Sequence, residues 1–296
     1  MMTSPALQEA QDQLNALIEA ARKGAIIPVR LTGQLEAIAT FLVQAAEEQK
    51  TADATPKPSG DVETVMHDNT EFLKTAVHEL RTPMTSIRGY SDMLSNPGMA
   101  GALSEMQNQL LQVIRTNSKR MEGLLADMSY INKIRGDALR PNAKMDMFKN
   151  IALMAEKQTR PIAEELNRQL EFDIPQGLPL MTTDGELLSL ALTKLIENGL
   201  RYSPEGEGKV IVKGATEGNN LIVTVSDNGV GITPDEIAQL GTLYFRSDHD
   251  AIRAYKGSGL GIPIVYGVVK ILDGEINVTS EPDQGTVFTL KFHGMT

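Results

Sequence analysis

Two heptad runs separated by a short turn constrain this chain more than any other feature. From residue 62 onward Met66, Leu73, Leu80, Ile87 and Leu94 recur every seven, with Val77 and Met84 between them on the same seam. That 3–4 alternation is the pattern of a coiled-coil-like helix face. NPGMAG at 96–101 reads as a turn, and Ser104 with Gln107 reads as a capping box. A second run follows: Leu110, Ile114, Asn117, Met121, Leu124, Met128 and Ile131. Asn117 is a polar residue inside an apolar seam, a feature that can set register at a cost in stability. A short connection between two such helices predicts an antiparallel hairpin. One hairpin cannot bury both seams, whereas two make a four-helix bundle, so a homodimer is expected.

The remaining sequence divides around this hairpin. A length of 296 residues suits two or three domains with ample core. Residues 1–50 carry two apolar stripes at helical spacing: Leu7, Ala10, Leu14, Leu17 and Ile18, then Leu31, Leu35, Ile38, Leu42 and Val43. GAIIP at 24–28 breaks them. This reads as a helical hairpin, serving either as a spacer or dimer prop or as a dedicated sensor. TADATPKPSG at 51–60 is a linker by composition. The heptad hairpin takes 61–140, and a further domain takes 141–296.

Composition excludes several classes. A net charge of -10 argues against wholesale nucleic-acid binding, which needs a basic face. There is no Cys, hence no disulfide framework and no thiolate metal site. No run approaches the roughly 20 apolar residues that span a bilayer. The N-terminus lacks a basic stretch followed by an apolar one, so no secretory leader is expected. The expectation is a cytoplasmic chain without a membrane segment.

After residue 140 the pattern becomes mixed. A helix is predicted near 146–159, short strands near 169–173 and 179–182, and a helix to 196 started by a Thr183/Glu186 capping box. KVIVKGA and NNLIVTVSD alternate by two and flank the polar turn TEGN. Thr233 and Glu236 mark another helix start, with Pro234 at its first position. GEINVTSE and GTVFTLKF close the chain as strands. Helices with an antiparallel-leaning sheet give an α+β domain.

Within the first heptad run, VHELRTPM at 77–84 places His78 beside the seam, facing outward. Thr82 lies four residues on and shares its helical face. Pro83 removes the amide that would bond the carbonyl of Glu79, and its ring crowds that carbonyl, at about 3 kcal/mol in an ordinary helix. A kink just past an exposed histidine makes sense as a hinge.

FLKTAVHELRTPMTSIRGYSDML closely resembles the phospho-acceptor helix of sensor histidine kinases of two-component systems, with Val77 where Ser is usual. LTKLIENGLRYSP at 192–204 resembles the family's asparagine box, DNGVGI at 227–232 its first glycine box, GSGLGIPIV at 257–265 its second, and QGTVF at 284–288 its last. Order and spacing agree from residue 62 to the end. The resemblance implies a dimeric four-helix bundle followed by the α+β sandwich shared with gyrase and heat-shock chaperone ATPases (the Bergerat-type fold).

It also implies roles. ATP is the phosphoryl donor and Mg²⁺ the metal, with Asn198 its side-chain ligand and Glu197 beside a metal-bound water. Asp227 accepts from the adenine amino group, while Gly229 and Gly231 let backbone approach the base. Arg201 reaches phosphate and Tyr202 packs near the base. Gly257, Gly259, Leu260 and Gly261 open a helix whose amides face phosphates, and Thr286 belongs to the last box. No G-x-x-x-x-G-K-[ST] occurs, so this is not a P-loop. The polar segment between the glycine boxes is a functional lid.

The implied reaction is attack of His78 on the γ-phosphoryl group, with Glu79 taking the proton from the other ring nitrogen, then transfer to an aspartate of a separate response regulator. Thr82 resembles the residue that positions water in a phosphatase mode. Lys194 stands where a first Asn is common and Gly199 where Ala is, and Gly241 and Tyr244 stand where Phe is usual. These departures bear on ATP affinity and lid closure. They keep open a nucleotide-binding scaffold with little kinase activity, and residues 1–50 keep open an assembly protein.

Overall fold

Pro83 does not end the first helix. In the computed structural model α1 runs unbroken over Val62–Leu94, with Pro83 inside it. The structure describes residues 62–96, 98, 101–255 and 257–294, with positions 12, 13 and 16. The expected hairpin at 1–50 and linker at 51–60 therefore lie outside the described residues, as do the side chains of Met66, Leu73 and Glu79. The chain forms two compact units, Met1–Glu122 and Gly123–Thr296.

In the first unit, Val77 and Met84 of the predicted seam are buried at 5% and 3% exposure. α2 spans Glu105–Arg135 and crosses the unit boundary. Its start is the expected box: the Gln107 amide donates to Ser104 Oγ and the Ser104 amide to Gln107 Oε1. Antiparallel pairing of α1 and α2 is registered by ion pairs between Arg88 and Glu122 (2.9 Å) and between Arg115 and Asp92 (3.0 Å). Both are exposed, and such pairs contribute about 0–1 kcal/mol each.

Within one chain the seam expected on α2 is covered only in part. Of the expected positions Ile131 is buried, and Leu111, Ser118 and Leu125, each one position on from Leu110, Asn117 and Leu124, are buried as well. Leu110 and Ile114 stay exposed, and the Asn117 amide donates to the Val113 carbonyl at 3.0 Å. α2 carries apolar residues on adjoining faces, and heptad counting alone does not say which face a single hairpin uses.

The second unit is a two-layer domain. Its elements are β1 (Lys144–Met147), α3 (Phe148–Glu165), β2 (Gln169–Asp173), β3 (Leu180–Thr183), α4 (Gly185–Tyr202), β4 (Lys209–Glu217), β5 (Asn220–Asp227), α5 (Pro234–Ile237), α6 (Asp250–Ala254), α7 (Gly261–Ile271), β6 (Glu275–Glu281) and β7 (Gly285–His293). The main sheet has the order β2-β4-β5-β7-β6, and β1 pairs antiparallel with β3 in a small second sheet. Within the main sheet only β2–β4 is parallel.

The alternation read from NNLIVTVSD is the burial pattern itself. Leu221, Val223 and Val225 are buried, with partly exposed residues between them. One sheet face therefore takes the helices. α4 lies at the centre of that layer: Leu188, Leu192, Leu195, Ile196 and Leu200 recur at helical spacing and are at most 1% exposed. Each such burial contributes about 1.5–3 kcal/mol.

Four local features differ from expectation. The N-cap of α4 is Asp184, not Thr183: its carboxylate accepts from the Glu186 and Leu187 amides. A carboxylate reaches these amides directly, while Thr183 is spent as the last residue of β3. α4 continues past Ile196 to Tyr202, because nothing in EN-GLRY breaks it. β1 was not foreseen, and α3 runs to Glu165 through Pro161. The Thr233/Glu236 box at the start of α5 is present as read.

Candidate active site

β5 ends on Asp227, and the site is built around that carboxylate. Its Oδ1 accepts from the Gly229 amide at 2.8 Å and from the Thr286 amide at 3.2 Å. Burial pushes its pKa above the ordinary carboxylate range, and the Gly229 and Thr286 amides pull only partly against that. Oδ2 has no protein donor among the described residues. The site thus offers one partly buried, well-oriented acceptor, the chemistry a purine amino group requires.

Close backbone packing surrounds it. A Cβ on Gly229 would sit 2.8 Å from both Asp227 Oδ1 and the Tyr202 carbonyl. Gly231 has φ +67, and a Cβ there would lie 2.0 Å from the Glu281 carbonyl. The Val230 amide donates to Tyr202 O, and the Asp283 amide to Val230 O. Three of the predicted residues, Asp227, Gly229 and Thr286, are therefore joined directly.

Ser280 was missed by sequence reasoning. Its hydroxyl donates to the Gly285 carbonyl at 2.8 Å. It must then accept from the Ile232 amide at 2.9 Å and from the Thr286 hydroxyl at 2.9 Å. One serine on β6 fixes both flanks of the pocket floor, and no motif marks it.

The second glycine box leads into α7. Gly259 has φ +69 and its Cβ position lies 2.7–2.9 Å from the backbone of Tyr244 and Phe245, so only glycine fits. Leu260 is buried at the N-cap, and Gly261 is the first residue of α7. A Cβ on Gly261 would sit 3.9 Å from both Asn198 Nδ2 and Lys194 Cδ. Asn198 therefore lies beside the first residue of α7. Lys194, one turn before Asn198 on α4, faces the same place.

Tyr202 sits at the end of α4, edge-on to Tyr255 with ring centroids 6.1 Å apart. A Cβ on Gly257 would lie 3.7 Å from its hydroxyl. Arg201 points back along α4, 4.0 Å from Glu197. Among the described residues no cluster of three acidic, His or Cys side chains could hold a metal. A Mg²⁺ ion here would depend on the Asn198 carbonyl together with substrate phosphates and water, which suits that ion.

The segment between the glycine boxes has a fastening that sequence reasoning also missed. Arg246 donates to the carbonyls of Ile252 (2.6 Å), Tyr255 (2.5 Å) and Gly257 (3.2 Å). It ties the end of α6 to the second glycine box. At the other end, a hydrogen bond from Ser247 above all, with those from Thr233, holds Glu236 below the usual carboxylate range. Hydrogen bonds from a charged donor contribute about 1.5–3 kcal/mol. Arg246→Ala is therefore expected to speed proteolytic cleavage between 247 and 255 about ten-fold without unfolding the sheet. Unchanged cleavage would mean that the segment is held by other contacts.

In the first unit, His78 and Thr82 are both exposed on α1, one turn apart, and Pro83 is half-buried after them. Beyond the proline, Thr85 Oγ1 donates to Arg81 O and Ser86 Oγ to Thr82 O. Hydroxyls bonded back to i−4 carbonyls favour bending, so the stretch after His78 carries two bending devices besides the proline.

Comparison with known proteins agrees with this arrangement. Residues 68–137 match the His Kinase A (phospho-acceptor) domain. Residues 183–294 match the histidine kinase-, DNA gyrase B-, and HSP90-like ATPase family. An uncharacterized sensor-like histidine kinase of Rhizobium meliloti (strain 1021) is 28% identical over 260 residues, covering 87% of this chain and 49% of the relative. The sensor-like histidine kinase SenX3 of Mycobacterium tuberculosis is 30% identical over 221 residues, covering 74% of this chain and 52% of the relative. The chain thus spans about half the length of these curated relatives. Full-length ShkA, solved in complex with AMPPNP, matches with a TM-score of 0.63 at 21% identity over 77% of this chain and 47% of that one. At that identity the likeness speaks for the fold.

A helical phospho-acceptor hairpin followed by an ATPase-type sandwich defines a class of signalling proteins. The chain belongs to the sensor histidine kinases of two-component systems.

Proposed function

We propose that the chain phosphorylates itself on His78 from ATP and passes the group to an aspartate of a response-regulator protein. What carries this reading is the pairing, in one chain, of a solvent-facing histidine on a proline-bearing helix with a glycine-lined site built on the partly buried Asp227 carboxylate. A neutral imidazole nitrogen attacks phosphorus in line, the bond to the ADP leaving oxygen breaks, and the proton on the other ring nitrogen goes to Glu79. Phosphoryl transfer asks chiefly for position and charge neutralisation. The α7 amides and Arg201 supply part of this, and Mg²⁺ on Asn198 supplies the rest when bound. Thr82, on the face of His78, positions water in a phosphatase mode.

The functional form is a homodimer. Leu110, Val113 and Ile114 on α2 and Tyr90, Met93 and Leu94 on α1 are large apolar side chains left exposed in one chain. A second hairpin covers such a face. No described helix is long and apolar enough to cross a membrane, and the reading places these domains in the cytoplasm, with the regulator.

Incubation with labelled ATP and Mg²⁺ tests the reaction. Acid-labile, base-stable label is expected on the wild type and none on His78→Gln. Label on neither, with nucleotide still bound, would instead favour a scaffold, which Lys194 and the altered Gly241 and Tyr244 motivate.

A further inference from the structure

Lys194 departs from the asparagine box, and its surroundings say why a cation can stand there. Its Nζ lies 2.6 Å from Asp127 Oδ1, with side-chain exposures of 17% and 12%. Asp127 belongs to the last turns of α2, the part of that helix that lies in the second unit. There Ile131 is buried in the domain core, and Ile134 packs on α7 at Gly267, where a Cβ would meet it at 2.7 Å. The Lys194–Asp127 pair is a charged contact beside the apolar ones of Ile131 and Ile134.

The same lysine stem lines the nucleotide pocket. Lys194 Cδ and Asn198 Nδ2 are equally close, at 3.9 Å, to the Cβ position of Gly261, the first residue of α7. Helical spacing puts Lys194 and Asn198 on one face of α4. The ammonium lies a short step beyond Cδ, so a rotamer change turns it from Asp127 toward the N-terminus of α7. A triphosphate there carries several negative charges against the single charge of Asp127, and Coulomb attraction favours the larger charge.

We propose that Lys194 is a phosphate-binding residue of this site held in reserve by Asp127, so that a nucleoside triphosphate and the last turns of α2 compete for one ammonium. This rests on the reading of the pocket as an ATP site. Binding of a triphosphate moves Lys194 onto the phosphates and leaves Asp127 without its partner. A buried carboxylate does not stay unpaired cheaply, so the segment 123–135 loosens or takes up water. Adenosine, which fills the base pocket alone, leaves the latch shut.

The test uses the full chain with Mg²⁺ and calorimetric titration of AMPPNP and adenosine into wild type, Asp127→Asn, Lys194→Met and the double variant. Asp127→Asn frees the ammonium and is expected to tighten AMPPNP about ten-fold. Lys194→Met is expected to weaken it about ten-fold. Adenosine affinity stays the same in all four, and Asp127→Asn has no effect once Lys194 is gone. Hydrogen exchange in 123–135 rises with AMPPNP and not with adenosine in the wild type.

A purely structural strut gives the opposite pattern: Asp127→Asn leaves AMPPNP affinity unchanged or lower, or both ligands weaken together. Either result overturns the proposal. If a variant is poorly folded, the wild-type exchange comparison decides alone, and equal exchange with the two ligands overturns it. Wild type that binds adenosine but gains nothing from the phosphates removes this inference and leaves the base site standing. Wild type that binds neither ligand removes the ATP reading as well.

Discussion

Asp227→Asn is expected to lower the affinity for AMPPNP about a hundred-fold while leaving the ligand-free fold at least as stable as the wild type. The two effects have one cause. Oδ1 takes both amide bonds, from Gly229 and Thr286, and an asparagine oxygen can take them equally well. The other side-chain position then becomes an NH₂ group where the carboxylate held out a free oxygen. An adenine amino group meets a donor instead of an acceptor, and a mismatch of that kind costs about 3 kcal/mol, or about two decades in affinity.

Stability moves the other way because burial raises the pKa of Asp227 in the folded state. For a carboxyl group whose folded pKa lies above its unfolded value, the stabilising contribution is fully present below the unfolded pKa. It is lost as the pH rises through the folded pKa. At neutral pH the wild type therefore holds an unfavourable buried charge, and Asn removes it. The wild-type advantage in binding should also fade on acidification through that folded pKa, where the variant is insensitive. Titration at two pH values and thermal melting without ligand check both halves. An affinity within about three-fold of wild type would show that Asp227 does not read the base.

The same residue shows how far a sequence carries an argument. DNGVGI marked Asp227 and the glycines, because the chemistry there needs particular residue types at fixed spacing. The hairpin of β4 and β5 was legible from period-two alternation, and α1 and α2 from heptads. What escaped was set by partners distant in the chain. Ser280 holds Thr286 and Ile232 across a sheet edge, yet a serine on a strand looks like any solvated residue. Arg246 fastens the segment between the glycine boxes through three carbonyls, and carbonyls leave no trace in a sequence. The ion pair of Lys194 with Asp127 joins positions 67 residues apart, by their numbers. On α2 the expected Ile131 is buried together with the stripe one position on at Leu111, Ser118 and Leu125, because which stripe one chain covers depends on the neighbouring helix. Asp184 displaced Thr183 as the α4 cap because both residue types cap, and the end of β3 decided between them.

Gly231→Ala is expected to cost about 3 kcal/mol of stability and to take nucleotide binding with it, whereas Gly218→Ala should cost only about 1 kcal/mol. Both glycines have similar left-handed backbones, φ +67 and +61, so the conformational penalty of a side chain is shared. The surroundings differ. Nothing lies within 4 Å of a Cβ on Gly218, in the turn between β4 and β5. A Cβ on Gly231 would lie 2.0 Å from the Glu281 carbonyl oxygen and 3.0 Å from Pro282 Cα, all backbone that cannot rotate away. The turn after β6 must then retreat. It carries the Asp283 amide that bonds Val230 O, and it leads into Thr286, whose amide bonds Asp227. Overpacking at one methyl therefore pulls apart the floor of the pocket. Chemical denaturation of the two variants in parallel, with AMPPNP titration of each, separates the shared backbone cost from the close approach. Equal losses for the pair would mean that the β6–β7 turn yields freely and that this glycine is there for its dihedral alone.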